Sequence, residues 1–252
     1  MRNGKLRGLL ITVMLLVFLA GLASILFPYI WGAAGDSSIT NTAKDFLDRE
    51  TPELPTTTVI IDSIEPEKVK PYPELWEDMV RYNQSIAAQG QSGLSCAYDY
   101  QKASFRLADL PDEIFGVLSI PAIDLEMPIY LGATEQHMAD GAAHLSQTSL
   151  PIGGMDTNCV IAGHRGYSGA SYFRYLDKLH VGDRVSVTNL WETLNYRVCE
   201  IRIIDPSDVE EILIQPGREL LTLLTCHPYA SGGRQRYVVY CERSELTTFP
   251  TS

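Results

Sequence analysis

Three residues in the C-terminal half of the chain have side chains that could together catalyse acyl transfer. Cys226 ends the apolar run LTLLTCHP, and Pro228 stops that run because it cannot donate a ladder hydrogen bond. His164 closes another run, NCVIAGH, and Arg236 opens the run RYVVYCE ten positions after Cys226. Each residue lies at the end of a predicted strand, so we expect the three side chains to meet at one rim of a sheet.

These side chains supply the groups that attack on an amide requires. The attacking species is a thiolate, and a neighbouring imidazolium favours it because an isolated cysteine has a pKa of about 8.5. The imidazole can then protonate the leaving amine. A guanidinium is always charged and can stabilise the tetrahedral oxygen anion or bind substrate carbonyls. We therefore predict Cys226 as the nucleophile, His164 as its partner and Arg236 as the cation on the oxyanion side.

The spacing of the five cysteines does not indicate a metal site. No two of them form a C-x-x-C pair and no H-x-x-H spacing accompanies them, so we expect neither a metal nor a cofactor. A cysteine within an apolar run is most often a small core residue. That interpretation applies to Cys159, Cys199 and Cys241, although Cys199 and Cys241 could also pair across strands.

Other histidines and one other arginine compete for the predicted roles. A lone histidine is usually a surface group or a satisfied polar group, and we interpret the remaining four in that way: His137, His144, His180 and His227. Arg234 competes with Arg236 as the cation. Arg236 is preferred because it abuts a predicted strand, whereas Arg234 follows two glycines in the preceding loop.

Short β-like runs fill the chain from Phe115 onward and would position these residues. They are apolar or β-branched and are bounded by turn residues. The seven runs are FGVLSIP, MPIYLG, NCVIAGH, DRVSVTN, NYRVCEIRII, ELLTLLTC and RYVVYCE. The stretches 134–145 and 170–180 predict short helical turns. Seven strands with few helices indicate one mainly β domain, either a barrel or a sandwich.

An uncharged stretch of 23 residues, Leu9–Trp31, predicts a transmembrane anchor near the N-terminus. At about 1.5 Å per residue it is long enough for the roughly 30 Å hydrocarbon core. A cleavable signal peptide is the alternative because Ala33 and Ala34 are small, but its apolar region is only about 7–15 residues long. The basic flank stays cytoplasmic, so residues after about 35 lie outside. Tyr29 and Trp31 suit the outer interface.

Residues 36–112 predict an N-terminal arm between the anchor and the β domain. Prolines and threonines between Pro52 and Thr58 indicate a spacer. The segment 73–89 predicts an amphipathic helix because apolar residues recur at helical spacing, and 90–112 predicts a long loop. The predicted divisions are thus a basic flank and anchor over 1–35, an arm over 36–112 and a β domain over 113–252.

The charge of the chain argues against two classes of partner, nucleic acid and anionic lipid surfaces. The formal net charge is −11, and since Arg2, Lys5 and Arg7 are the only charged residues among the first 35, the remainder carries about −14. Such an acidic chain is not expected to bind nucleic acid or to dock electrostatically on anionic lipid. An acidic surface is also compatible with a role in solubility alone.

The motifs around the three predicted residues resemble those of the sortase family. LTLLTCHPY and RQRYVVYCER resemble its T-L-x-T-C strand and the arginine that opens the last strand. HLSQTSLPIGG and NCVIAGHRGYSGASYFRYLDKLHVGD resemble its histidine region, and FGVLSIPAIDLEMPIYLG resembles its first barrel strands. The resemblance covers about 114–243, and SLP-x-GG and AGHRG look most like class C sortases, which polymerise pilins.

The resemblance implies an eight-stranded β-barrel with short helices and an N-terminal helical arm. It also implies a Gram-positive cell membrane enzyme, anchored by a single pass with its catalytic domain outside. The expected partners are surface or pilin proteins with an LPXTG-like sorting signal and an amine acceptor, either a pilin lysine or a cell-wall precursor. The family's motif assigns Thr225 to substrate binding. Class C enzymes carry an Asp-Pro-aromatic lid, and Asp99 and Tyr100 lie at the corresponding position, here without the proline.

Three other functions compete with pilus assembly. A wall-anchoring sortase would join surface proteins to peptidoglycan instead of polymerising them. An L,D-transpeptidase suits the compartment but keeps its His and Cys within one short motif, whereas His164 and Cys226 are 62 positions apart. A non-catalytic surface binding module is the alternative from another class, and it predicts that Cys226 reacts no faster with thiol reagents than the other cysteines.

Overall fold

A closed β-barrel lies at the centre of the computed structural model, which describes residues 2–50, 70–91, 94, 113–230 and 232–244. The eight strands are β1 (Ile114–Ile120), β2 (Leu125–Leu131), β3 (Ala142–His144), β4 (Thr157–Ala162), β5 (Arg184–Asn189), β6 (Thr193–Ile204), β7 (Glu219–His227) and β8 (Gln235–Arg243). Their order around the barrel is β1-β2-β3-β4-β7-β8-β6-β5. Closure gives each strand two neighbours and removes exposed sheet edges.

Strands β1, β2, β4 and β7 bury side chains on both faces, which explains why their sequences are nearly continuous apolar runs, whereas β5 alternates buried with half-buried positions. Along β7, Leu221 and Leu223 belong to the cluster that fills the barrel, whereas Leu224 belongs to a cluster on its outside. Val238 of β8 lies in the same outer cluster. Successive strand residues point to opposite faces, so this alternation assigns a face to every neighbouring position.

The long helix α1 (Arg2–Glu50) does not end at the predicted domain boundary at position 35 but continues for about four more turns. Its apolar N-terminal part is exposed along its length, while its later part packs against the barrel. Ala43 and Phe46 are buried in one cluster with Ile114 and Phe115 of β1. This packing keeps the helix intact through a polar sequence.

Helix α2 (Pro73–Gln89) covers the segment that the apolar spacing predicts. Pro73 sits in its first turn, where a missing N–H costs nothing. Met79 is fully buried, and Asn83 joins the helix to the barrel through two hydrogen bonds with the backbone of Leu150. The Asn83 amide donates to the Leu150 carbonyl at 3.3 Å, and the Leu150 N–H donates to Asn83 Oδ1 at 2.7 Å.

The sequence predictions for shorter elements are correct only in part. The prediction of a helical turn over 134–145 is confirmed for the short helix α3 (Glu135–Asp140). It is wrong for Ala142–His144, which forms β3. That strand has three residues, too few for a recognisable pattern. The turn over 170–180 contains a single 3₁₀ turn at Leu176–Lys178.

The four cysteines in the described part of the chain are free thiols. Cys199 and Cys241 therefore do not form the cross-strand pair that their positions allowed. The Cys199 thiol lies 3.3 Å from the Tyr240 carbonyl oxygen as a hydrogen-bond donor. Cys96 lies outside the described residues.

Candidate active site

The predicted nucleophile and the predicted cation face each other on neighbouring strands. β7 and β8 are antiparallel, and their register pairs Cys226 with Arg236 and His227 with Gln235. Side chains of directly paired residues project from the same face, with Cβ atoms about 4.5–5.5 Å apart. The sequence prediction that the end of one strand lies beside the start of the next is thus confirmed.

His164 reaches the same rim from the other side of β7. β4 and β7 are parallel, and their last registered pair is Ala162 with Leu224. The alignment continues beyond the strand because the Gly163 N–H donates to the Leu224 carbonyl at 3.1 Å. If this register is continued by two residues beyond Ala162 and Leu224, His164 lies beside Cys226.

The predicted nucleophile and cation also share one face of the sheet. Leu224 and Val238 belong to the outer cluster. Cys226 and Arg236 each lie two positions from one of these residues within the same strand, so the alternation of strand side chains aims them to the same side. The thiol and the guanidinium therefore lie on the outside of the barrel, at the rim where His164 follows the end of β4.

Thr225 lies next to Cys226 at this rim, but its side chain is buried and bonded to the barrel backbone. Its hydroxyl donates to the Gly163 carbonyl at 2.7 Å. This bond ties β7 to the segment that leads into His164. Substrate binding by Thr225 stays a prediction, while its visible contact positions the two strand ends relative to each other.

Aromatic rings surround the His164 imidazole. The ring stacks on Tyr167 with 4.5 Å between centroids and meets the edge of Tyr172 at 6.2 Å. Gly163 allows this arrangement because a Cβ at that position would lie 2.7 Å from the Phe173 ring. Partial burial lowers the pKa of His164. The neutral imidazole that this favours is suited to accept a proton from a thiol.

Arg236 is held by the loop that joins β7 to β8. Arg236 is only 2 % exposed. Its Nη1 donates to the carbonyls of Gly233 at 2.9 Å and Gln235 at 3.0 Å. Arg234, the competing arginine, is exposed on the loop outside the strand. The structure thus places Arg236, and not Arg234, beside Cys226.

Arg165 is a component of the site that sequence reasoning missed. It is 8 % exposed, and its Nη1 donates to His227 Nδ1 at 2.7 Å and to the Cys226 carbonyl at 3.4 Å. Its Nη2 forms an ion pair with Asp177 at 2.6 Å. The guanidinium thus holds both the backbone of the predicted nucleophile and the residue after it. The only sequence signal for this role is an arginine next to a histidine at a strand end.

The charge of Arg165 affects the pKa of His227. Burial lowers the pKa of His227, the positive charge of Arg165 lowers it further, and Asp177 opposes the shift. Because Nδ1 accepts a hydrogen bond from Arg165, the proton of the neutral ring lies on Nε2. His227 therefore serves as an acceptor within the network around Cys226.

The position of Cys226 distinguishes it from the other described thiols. Burial raises the pKa of Cys159, Cys199 and Cys241, which disfavours their thiolates. Cys226 is half-buried at the rim. Cys199 is half-buried as well, but only Cys226 among the described thiols lies at the rim between His164 and Arg236. Asp99 and Tyr100, the predicted lid, lie outside the described residues.

Comparisons with known proteins agree with this architecture. The family model described as the Sortase domain matches residues 118–244. Sortase D of Bacillus subtilis is 28 % identical over 159 residues, which cover 62 % of this chain and 76 % of that protein.

Two solved structures resemble the whole domain. Sortase C of Streptococcus pneumoniae, whose description refers to catalysis and pilin substrate specificity, is 30 % identical with a TM-score of 0.62 and covers 83 % of this chain and 99 % of its own. A lid mutant of Sortase C1 of Streptococcus agalactiae is 32 % identical with a TM-score of 0.62 and covers 71 % and 92 %.

Proposed function

Since the chain belongs to the sortase family of cysteine transpeptidases, we propose that Cys226, His164 and Arg236 carry out its reaction. The observation that supports this assignment is their position at the ends of three neighbouring strands, β4, β7 and β8, at one rim of the barrel. Together they provide a nucleophile, a proton carrier and a fixed cation at one rim.

The first half of the reaction forms a thioester. His164 takes the thiol proton as Cys226 attacks the carbonyl carbon of the threonine in an LPXTG-like sorting motif. Arg236 stabilises the negative charge on the tetrahedral oxygen. The intermediate collapses when the carbon–nitrogen bond breaks and His164 gives its proton to the departing amine. The sorted protein is then held on Cys226 as a thioacyl intermediate.

The second half transfers the protein to a new amine. The acceptor amine attacks the thioester carbonyl, and His164 accepts a proton from its nitrogen. The carbon–sulfur bond then breaks, an amide forms, and His164 returns its proton to the departing sulfur, which regenerates the Cys226 thiol. Arg236 stabilises the oxygen anion of this second intermediate at the same position, so one constellation serves both steps.

The acceptor that we propose is a lysine of a pilin, which makes the enzyme a pilus-assembling transpeptidase. The likeness to Sortase C of Streptococcus pneumoniae, described in terms of pilin substrate specificity, supports this choice. A wall-anchoring enzyme would use a cell-wall precursor instead. Covalent polymers of the substrate protein on the cell surface would support pilin transfer, whereas wall-linked monomers alone would support anchoring.

A lid over the site is a further part of this proposal. Asp99 and Tyr100 lie at the position in the sequence where class C enzymes carry one, and one related structure is a lid mutant. A carboxylate that pairs with Arg236 would compete with substrate for the guanidinium. In the double variant Asp99→Ala with Tyr100→Ala, a thiol reagent should then alkylate Cys226 several-fold faster than in the parent enzyme. An unchanged alkylation rate would show that these residues do not cover Cys226.

We also propose that α1 anchors the enzyme in the cell membrane with the barrel on the extracellular face. In the described part of the chain it is the one helix long and apolar enough to cross a membrane. The apolar segment of this helix is not buried against the barrel. The basic residues before it favour a cytoplasmic N-terminus.

The test is transpeptidation by the full chain in detergent with labelled LPXTG-like peptides and a panel of amines. We expect cleavage and amine-dependent product, and we expect Cys226→Ala to abolish both while the near-ultraviolet circular dichroism stays unchanged. Cys199→Ala is the matched control, because it removes another half-buried thiol away from the rim. Cleavage by folded Cys226→Ala above a trace would refute the assignment.

A further inference from the structure

Helix α1 runs along the barrel from one end to the other. Near Trp31 it meets the loop after His164, where Gly35 lies against Ala170. Phe46, fifteen residues after Trp31, is buried in one cluster with Ile152, which lies shortly before the start of β4. At 1.5 Å per residue this segment of helix is about 22 Å long, comparable to the length of a barrel strand. The helix therefore reaches the rim that carries His164 first.

The contact at the His164 end is close and specific. The Trp31 indole donates to the Ser168 carbonyl at 2.9 Å. Asp36 accepts two hydrogen bonds from Ser171, from its N–H at 2.6 Å and from its hydroxyl at 2.9 Å. A Cβ on Gly32 would lie 2.8 Å from the Gly169 carbonyl oxygen, so the two backbones touch. Polar bonds at successive helix turns fix the loop against α1.

Trp31 also marks the end of the apolar stretch. Tryptophan and tyrosine settle at the boundary between hydrocarbon and water, with the ring at the level of the lipid headgroups. A carbonyl that is bonded to the Trp31 indole lies at the same level. Ser168 is therefore at the membrane surface when the preceding helix spans the bilayer.

The side chains at this rim suit such a position. Tyr167 is 44 % exposed, and the Tyr229 ring, 49 % exposed, lies against Gly166 of the same loop. Arg174 packs on Tyr229, with its guanidinium carbon 4.6 Å from the ring centroid. An exposed pair of tyrosines with one arginine is the composition of an interfacial patch.

We propose that the rim formed by residues 166–169 and Tyr229 rests in the headgroup layer of the membrane in which α1 is anchored. This proposal rests on the membrane anchoring proposed above and specifies the orientation of the barrel. The acidic character of the chain gives no general attraction to anionic lipid. The contact depends instead on the docked helix and the aromatic side chains.

The consequence concerns how substrate reaches Cys226. The catalytic rim faces the bilayer, and the opposite barrel end, with Met155, faces away from it. A sorting motif and an acceptor amine must then meet at the membrane surface. Substrates that are themselves held at the membrane are in position for this site, whereas soluble peptides have to enter the gap between the barrel and the bilayer.

The experiment compares a fluorophore at each end of the barrel. Ser168→Cys and Met155→Cys are made in a full-length background in which Cys96, Cys199 and Cys226 are alanine, and each is labelled with NBD. Met155 is the matched control because it is 67 % exposed at the far end. The protein is reconstituted in liposomes with and without phospholipid that carries a doxyl quencher near the headgroup.

We expect the label at position 168 to be quenched several-fold more than the label at position 155 and to emit at shorter wavelength. Equal quenching at both positions, or none at 168, would overturn the proposal. Tyr229→Cys in the same background gives a second rim position if Ser168→Cys folds poorly. Peptide cleavage by the unmodified enzyme is measured separately, so an active enzyme with an unquenched rim would reject the orientation and leave the proposed function intact.

Discussion

Replacing Arg236 with lysine tests whether the guanidinium beside Cys226 does more than supply charge. In the structure Arg236 Nη1 donates to two backbone carbonyls, at 2.9 Å to Gly233 in the loop and at 3.0 Å to Gln235 at the start of β8. The planar fork lets other nitrogens of the same group point elsewhere. A lysine concentrates its three donors on one atom, so it cannot hold the loop and also reach an oxygen anion in the arginine geometry.

The size of the effect follows from the loss of one oxyanion donor. Such a loss costs about 10²–10³ in kcat, or about 2.7–4 kcal/mol of transition-state stabilisation. A comparable fall in kcat is expected for Arg236→Lys. Arg234→Lys is the matched control, because Arg234 is exposed on the neighbouring loop. We expect the control to stay within about a factor of two of the parent enzyme.

The assay is single-turnover cleavage of a fluorogenic LPXTG-like peptide, with thermal unfolding measured on each variant. The unfolding data matter because Arg236 is buried, and loss of a hydrogen bond to a charged group costs about 1.5–3 kcal/mol. A slow but folded Arg236→Lys enzyme is the expected result. If Arg234→Lys were the more damaging change, the assignment across the glycine-containing loop would be wrong.

Two further predictions concern histidines. Arg165→Met should raise the pKa of His227 and Asp177→Asn should lower it, since the two charges act on the ring with opposite sign; NMR titration measures both, and shifts in the same direction would contradict the network. Burial lowers the pKa of His144 to about 4. Between pH 6.5 and about pH 4 the unfolded chain therefore binds a proton that the folded chain does not. The free energy of unfolding should thus fall as the pH is lowered through this range, by about 1.4 kcal/mol per pH unit or about 3 kcal/mol in total. Urea unfolding of His144→Gln should show a flatter pH dependence, and the exposed control His180→Gln should not.

Strand-end reasoning was sufficient to predict the pairing of Cys226 with Arg236 because the two strands are consecutive in the chain. The position of His164 beside Cys226 depends on the parallel pairing of β4 with β7, in which paired residues are 62 positions apart in the sequence. A sequence pattern shows that each segment is a strand but not which strands become neighbours. The strand-end argument predicted one rim for all three residues, but it did not predict that β4 and β7 lie side by side.

Other features depend on contacts that have no local signal. Helix α1 continues through a polar stretch because Phe46 packs on the barrel, and this cannot be read from hydropathy. Arg165 was missed because its partners Asp177 and His227 lie 12 and 62 positions away. The three-residue strand β3 is likewise defined by its neighbours and not by its own composition.

The central claim is that Cys226 carries the acyl group. The most direct measurement is to quench the full-length enzyme during turnover of an LPXTG-like peptide without an amine acceptor, digest it and locate the adduct by mass spectrometry. We predict the mass of the acylated threonine fragment on the peptide that contains Cys226, and its loss on addition of an amine. An adduct on Cys96, Cys159, Cys199 or Cys241 instead, or turnover with no enzyme adduct at all, would contradict the account.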